Sequence, residues 1–136
     1  AIVTESTYGD RLRDTHDMLH ILTGYGRDAL GEQCVLGFTY AQNHNLGVGF
    51  IAYAGALELK YRVSKSAPIL KAVHEGYRIG KAARNIVQED IAALLREPLA
   101  DARKRLGIAE PVTYKAAHAA MRSGGIDPYN LLAPAV

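Results

Sequence analysis

Residues 7–42 read TYGDRLRDTHDMLHILTGYGRDALGEQCVLGFTYAQ, two helical patterns meeting at a glycine-containing break. The first pattern runs from about Thr7 to Thr23, with Ser6 or Thr7 as its cap and Asp10 in its first turn. Tyr8, Leu12, His16 and Leu19 fall on one stripe of it. Gly24-Tyr25-Gly26-Arg27 stops it, and Asp28 is placed to cap a second helix that reaches about Gln42. A helical hairpin at this point, with no sustained apolar/polar alternation elsewhere, sets the fold class as all-α.

Working outward, Asn43-His44-Asn45 breaks the pattern, and Leu46 to Tyr61 follows as a third helix that is apolar nearly all round. Such a helix is buried or embedded in an interface. Ser66-Ala67-Pro68 is a helix-start signature. From it the spacing predicts one long amphipathic helix to about Glu97, with Leu70, Val73, Tyr77, Gly80, Val87, Ile91 and Leu95 as its core stripe. Pro98 to Leu106 forms a short helix closed by Gly107, and Pro111 to Arg122 a last one stopped by Gly124-Gly125. The expectation is a single compact helical domain of about five to six helices in all, residues 1–108 forming its main part and 109–136 a short helix and a loosely held tail.

The first hairpin also carries the chemistry. At about 100° per residue, His16, His20 and Asp17 sit near 0°, 40° and 100° around their helix, so all three share one quadrant. His20 and Glu32 are each six residues from Gly26, so an antiparallel pair of helices sets them opposite each other. Two imidazoles and two carboxylates make a mixed nitrogen and oxygen set suited to zinc, with iron or manganese as the alternatives. The candidate metal ligands, and through them the candidate catalytic residues, are therefore His16, Asp17, His20 and Glu32. A plainer reading stands beside this one. Arg13 and Asp17 are spaced for an ordinary ion pair, the histidines could be satisfied by carbonyls, and Glu32 suits a first-turn acid. His44, His74 and His118 have no comparable partners.

Composition narrows the function classes. The 136 residues suit one domain, and 49% hydrophobic with 22% charged residues is a globular balance. A net charge of +2 with no recognised binding motif argues against nucleic acid. Cys34 is the single cysteine, in an apolar helical run, and reads as a buried inert thiol. The longest apolar run, Leu46 to Leu59, falls short of the roughly 20 residues that span a bilayer. No signal peptide is visible, and the chain opens without methionine just before its motif, so a segment upstream is expected. Lys71, His74, Arg78, Lys81 and Arg84 recur at three- and four-residue spacing, with Lys60, Arg62 and Lys65 before them. Such a basic stripe meets anionic headgroups or is only a solvated face.

The stretch RLRDTHDMLHILTGYGRDALGE resembles the signature of the coenzyme Q (ubiquinone) biosynthesis protein four family: His-Asp, two residues, His, eleven residues, Glu. His16, Asp17, His20 and Glu32 match it position for position. Farther on, EGYRIGKAARNIVQEDIAALLREPLADARKRLGI is similar to the family's C-terminal pattern, so the resemblance covers about Tyr8 to Ile108. It implies an all-α, zinc-binding protein peripheral to membranes, on the cytoplasmic face in a bacterium or the mitochondrial inner membrane in a eukaryote. It implies as partners a prenylated quinone precursor and other quinone biosynthesis proteins. The implied activity is oxidative decarboxylation that replaces the C1 carboxyl of a polyprenylated hydroxybenzoate with a hydroxyl. The alternative is a non-catalytic lipid-binding scaffold that organises a biosynthetic complex. In either case the glycine-containing segment Leu46 to Leu57 can line a prenyl groove, or else serve as a core or homodimer helix. A metal phosphohydrolase, suggested by the His16-Asp17 dipeptide, ranks last because the sequence shows neither the extra upstream histidine nor the distant aspartate it needs.

Overall fold

The computed structural model describes residues 16–62, 68–86 and 89–123, and all regular structure among them is helical. The first helix, α1, is described over residues 16–23. It is followed by α2 (Ala29–Asn43), α3 (Leu46–Arg62), α4 (Ile69–Ala82), α5 (Ile91–Arg96), α6 (Leu99–Leu106) and α7 (Val112–Ser123). The all-α class is as expected, with one helix more than the upper count. The expected features at Ser6, Thr7, Tyr8, Asp10, Leu12, Arg13, Lys65, Val87 and the tail after Ser123 lie outside the described residues.

Helix α2 is the spine. It packs against α3 on one side and most extensively against α4 on another, with α7 laid across the pair. Leu30, Cys34, Val35 and Phe38 of α2 and Ile69, Ala72 and Val73 of α4 are fully buried in this seam. The two backbones approach closely because the crossing is lined with glycine. A Cβ at Gly76 would lie 2.6 Å from the Cys34 carbonyl oxygen, and one at Gly80 would lie 2.6 Å from that of Phe38. Large side chains at these positions would force the helices apart.

Helix α3 resolves the ambiguity of its all-round apolar sequence. Its small residues Gly49, Ala52 and Ala56, with Leu59, face the protein and are buried. Its large ones, Leu46, Phe50, Ile51, Leu57 and Tyr61, are exposed. No helix among the described residues is long and apolar enough to cross a membrane.

The single long helix expected over residues 68–97 is corrected to two. Helix α4 ends at Ala82, and Ala83 turns extended (φ −78°, ψ 158°). Gln42 of α2 holds the break. Its Nε2 donates to the carbonyls of Gly80 (2.8 Å) and Arg84 (3.0 Å), and its Oε1 accepts from the Ile86 N–H (2.8 Å). The Arg84 N–H donates to the Leu106 carbonyl (2.8 Å), and Asp90 caps the restarted helix through the Ala92 N–H. The core stripe moves accordingly. Ile69, Ala72, Val73, Gly76, Ile79 and Gly80 are buried, whereas Leu70 and Tyr77 are half-buried and Leu95 is exposed.

Candidate metal centre

Helix α1 carries His16 and His20 one turn apart, with the rings edge to face at 4.9 Å between centroids. It stops at Gly24, whose φ of +81° favours glycine. Arg103 of α6 satisfies the exposed end. Its Nε donates to the Leu22 carbonyl (2.7 Å) and its Nη2 to that of Ile21 (3.1 Å). After the turn, Asp28 caps α2 by accepting from the Gly31 N–H at 3.2 Å. Gly31 has to be glycine, because a Cβ there would lie 2.1 Å from the Gly26 carbonyl oxygen. The tight return puts Glu32 on the first turn of α2, facing both imidazoles.

His16 Nε2 lies 3.3 Å from His20 Nε2 and 3.5 Å from Glu32 Oε1, and His20 Nε2 closes the triangle against Glu32 Oε1. One ligand atom from each residue falls within 4.8 Å of the others, a group that could hold a metal ion. An ion bound tetrahedrally at about 2.0–2.1 Å from nitrogen and oxygen separates its ligand atoms by about 3.3 Å, the scale of this triangle. The His20 side chain is 6% exposed, while those of His16 and Glu32 are 40% and 45% exposed. One wall is thus dry, and the other side is open.

The hydrogen bonding fits a cation. His20 Nδ1 lies 3.0 Å from the Tyr25 carbonyl oxygen, which can only accept, so Nδ1 carries the proton in the neutral ring. The Nε2 lone pair then points into the triangle, the orientation a ligating histidine needs. Glu32 Oε1 is shielded from solvent and accepts no hydrogen bond among the described residues. Lone pairs converging on one point repel unless a cation lies between them. Two histidines and a carboxylate form the three-ligand set of open zinc sites and of non-haem iron sites.

Three of the four expected ligands therefore come together. Asp17 sits beside them at the rim, its Oδ1 3.4 Å from Arg27 Nη2, with 47% of its side chain exposed. A family profile described as coenzyme Q (ubiquinone) biosynthesis protein Coq4 matches residues 7–112. The chain belongs to that family. No curated protein and no solved structure matches it. The family places the chain in ubiquinone biosynthesis, and all three converging ligands lie inside the matched stretch.

Other titratable groups lie apart from the ligand set. Cys34 is buried, and burial together with Asp28 and Glu75 pushes its thiol up, in keeping with an inert role. His44 is exposed in a left-handed conformation, and exposed His74 pairs through Nδ1 with the Tyr53 hydroxyl at 3.0 Å. His118, which had no comparable partner in the sequence, lies 4.0 Å from the buried Asp28 carboxylate. Asp28 also accepts from the Tyr114 hydroxyl at 2.6 Å. No local spacing signals that pairing, since 86 residues separate the two.

Proposed function

We propose that this Coq4-family chain is a metal-dependent enzyme that binds a polyprenylated hydroxybenzoate and replaces its C1 carboxyl with a hydroxyl. The observation that carries the reading is the convergence of His16, His20 and Glu32 within the family-matched region. His16 and His20 would supply nitrogen ligands and Glu32 an oxygen ligand, with zinc, iron or manganese as the ion. When bound, the ion supplies a positive charge that draws in the substrate's carboxylate or phenolate. His20, held by the Tyr25 carbonyl, keeps the dry wall fixed, and the open side by His16 admits the ring. Asp17 would orient the substrate from the rim, or serve as a fourth ligand on parting from Arg27. In the net reaction the carboxyl leaves as carbon dioxide and the ring carbon gains a hydroxyl. That two-electron oxidation requires an external oxidant such as dioxygen, because zinc itself does not change oxidation state.

A prenyl chain would follow a groove beside the ligand set. A groove of about 180 Å³ runs between α2 and α3, lined by Ala29, Gln33, Gly55, Glu58, Leu59 and Arg62. Gln33 follows Glu32 directly, so the groove starts beside the ligand set. The exposed apolar face of α3 adjoins the basic face of α4 through the Tyr53–His74 hydrogen bond. Lys71, Arg78 and Lys81 are exposed there, which suits docking to an anionic membrane surface. That same apolar face favours the second reading, a scaffold that holds lipid intermediates and partner proteins without catalysis, the metal stapling α1 to α2.

The test loads purified protein separately with zinc, iron(II) and manganese(II), adds a prenylated hydroxybenzoate under air, and follows loss of the carboxyl by mass spectrometry. Formation of the hydroxylated product with at least one metal is expected. Substrate binding without turnover under any metal would refute the enzyme reading and leave the scaffold.

A further inference from the structure

We infer that the Tyr114 hydroxyl, on a helix that lies beyond the family-matched residues apart from its first residue, is the positioning group for two of the three ligands, His20 and Glu32. The inference rests on the metal reading of His16, His20 and Glu32. Two of those ligands are oriented from one short segment, 25–28, and Tyr114 grips that segment at both ends. The peptide unit joining Tyr25 to Gly26 accepts from His20 Nδ1 at its oxygen (3.0 Å) and donates its N–H to the Tyr114 hydroxyl (3.0 Å). Both hydrogen bonds run through one planar group, so the pull at the N–H fixes the carbonyl that aims His20. It also polarises that carbonyl, which strengthens its hold on the imidazole.

The same hydroxyl donates to Asp28 Oδ1 at 2.6 Å. Asp28 is buried, and its other oxygen caps α2 through the Gly31 N–H. Its carbonyl accepts the Glu32 N–H at 2.9 Å, so the turn that carries Glu32 is built on it. The ring of Tyr114 is braced edge to face against Tyr25, with centroids 5.1 Å apart and planes at 88°. Helix α7 is itself tied down where Glu75 of α4 accepts from the Thr113 and Tyr114 N–H groups. One side chain thereby connects the α4–α7 framework to the ligand on α1 and to the ligand on α2.

Removing the hydroxyl while keeping the ring isolates this role. Tyr114→Phe leaves the packing against Tyr25 but loses both grips, and such supporting contacts change metal affinity by about 10–100-fold. The experiment titrates cobalt(II), a visible-absorbing stand-in for zinc, into the full chain against a competing chelator. Parent, Tyr114→Phe and Lys115→Ala, an exposed neighbour on α7, are compared. Tyr114→Phe should bind at least about tenfold more weakly and show an altered ligand-field spectrum, with Lys115→Ala like the parent. An affinity and spectrum unchanged in a folded Tyr114→Phe would overturn the proposal. If that variant does not fold, hydrogen exchange of the parent decides: cobalt should slow the Gly26 and α7 amides, and rates that do not change would overturn it. Absence of cobalt binding by the parent would instead refute the metal reading itself.

Discussion

Replacing Gly31 with alanine perturbs the site without touching a ligand. The new Cβ would lie 2.1 Å from the Gly26 carbonyl oxygen and 2.9 Å from both the Gly26 carbonyl carbon and Asp28 Oδ1. A carbon needs about 3.2 Å from such an oxygen, so the turn and α2 must separate by about 1 Å, more than the roughly 0.5 Å that a functional site tolerates. Backbone cannot yield as a flexible side chain does, and overpacking of this kind costs about 1–3 kcal/mol. The shift also strains the Asp28 cap, adding about 1 kcal/mol. A total loss of about 2–4 kcal/mol is a large share of the 5–15 kcal/mol typical of a domain. Urea unfolding followed by circular dichroism reads the stability, and cobalt titration reads the ligand geometry. The reasoning holds if the unfolding free energy falls by that amount and cobalt affinity falls at least tenfold. A Gly31→Ala protein within about 0.5 kcal/mol of the parent and with parental affinity would show that the close approach does not govern the site.

Three other outcomes follow from particular contacts. Arg103→Met should cost about 1.5–3 kcal/mol by leaving the Ile21 and Leu22 carbonyls without their charged donor, seen as a lower melting temperature and faster hydrogen exchange in α1. Gln42→Leu should lower stability by about 2–3 kcal/mol in chemical denaturation, because the carbonyls of Gly80 and Arg84 and the Ile86 N–H lose one shared partner. Cys34 should resist Ellman's reagent in the native state and react only as the chain unfolds. Because burial raises its thiol above the ordinary value of 9.0, the folded state holds that proton more tightly than the unfolded one. Its contribution to stability is then present below pH 9 and lost as pH rises beyond it, so an alkaline series of urea melts should weaken in that direction.

Features set by short-range spacing were legible in the sequence. His16 and His20 one turn apart, the glycine break and the Asp28 cap together implied the hairpin, and the structure sets Glu32 against the two imidazoles as that register requires. What depended on distant partners was not legible. Residues 83–85 contain neither glycine nor proline, and the helix breaks there because Gln42 and the Leu106 carbonyl capture its backbone from far along the chain. Periodicity alone carried the pattern straight through. Asp17 stood at the correct angle on α1, but Arg27 in the turn offers it an opposite charge at the rim. The apolar composition of α3 left burial and an interface both open, and the structure divides the helix between Gly49, Ala52, Ala56 and Leu59 on its inner face and Leu46, Phe50, Ile51, Leu57 and Tyr61 exposed, a distinction that hydrophobicity does not register. Tyr114 lay beyond any local motif, since its contacts reach back 86 and 88 residues.

The central claim is that His16, His20 and Glu32 hold one metal ion between α1 and α2. Its most direct test is elemental analysis of the protein purified without added metal or chelator, run on the parent and on His20→Ala, with X-ray absorption at the edge of any metal found. One ion per chain is expected in the parent, with nitrogen and oxygen neighbours at about 2.0–2.2 Å, and near-complete loss in His20→Ala. A parent that carries no metal and takes up neither zinc, iron(II) nor manganese(II), or a His20→Ala protein that retains the ion with the same neighbours, would contradict it.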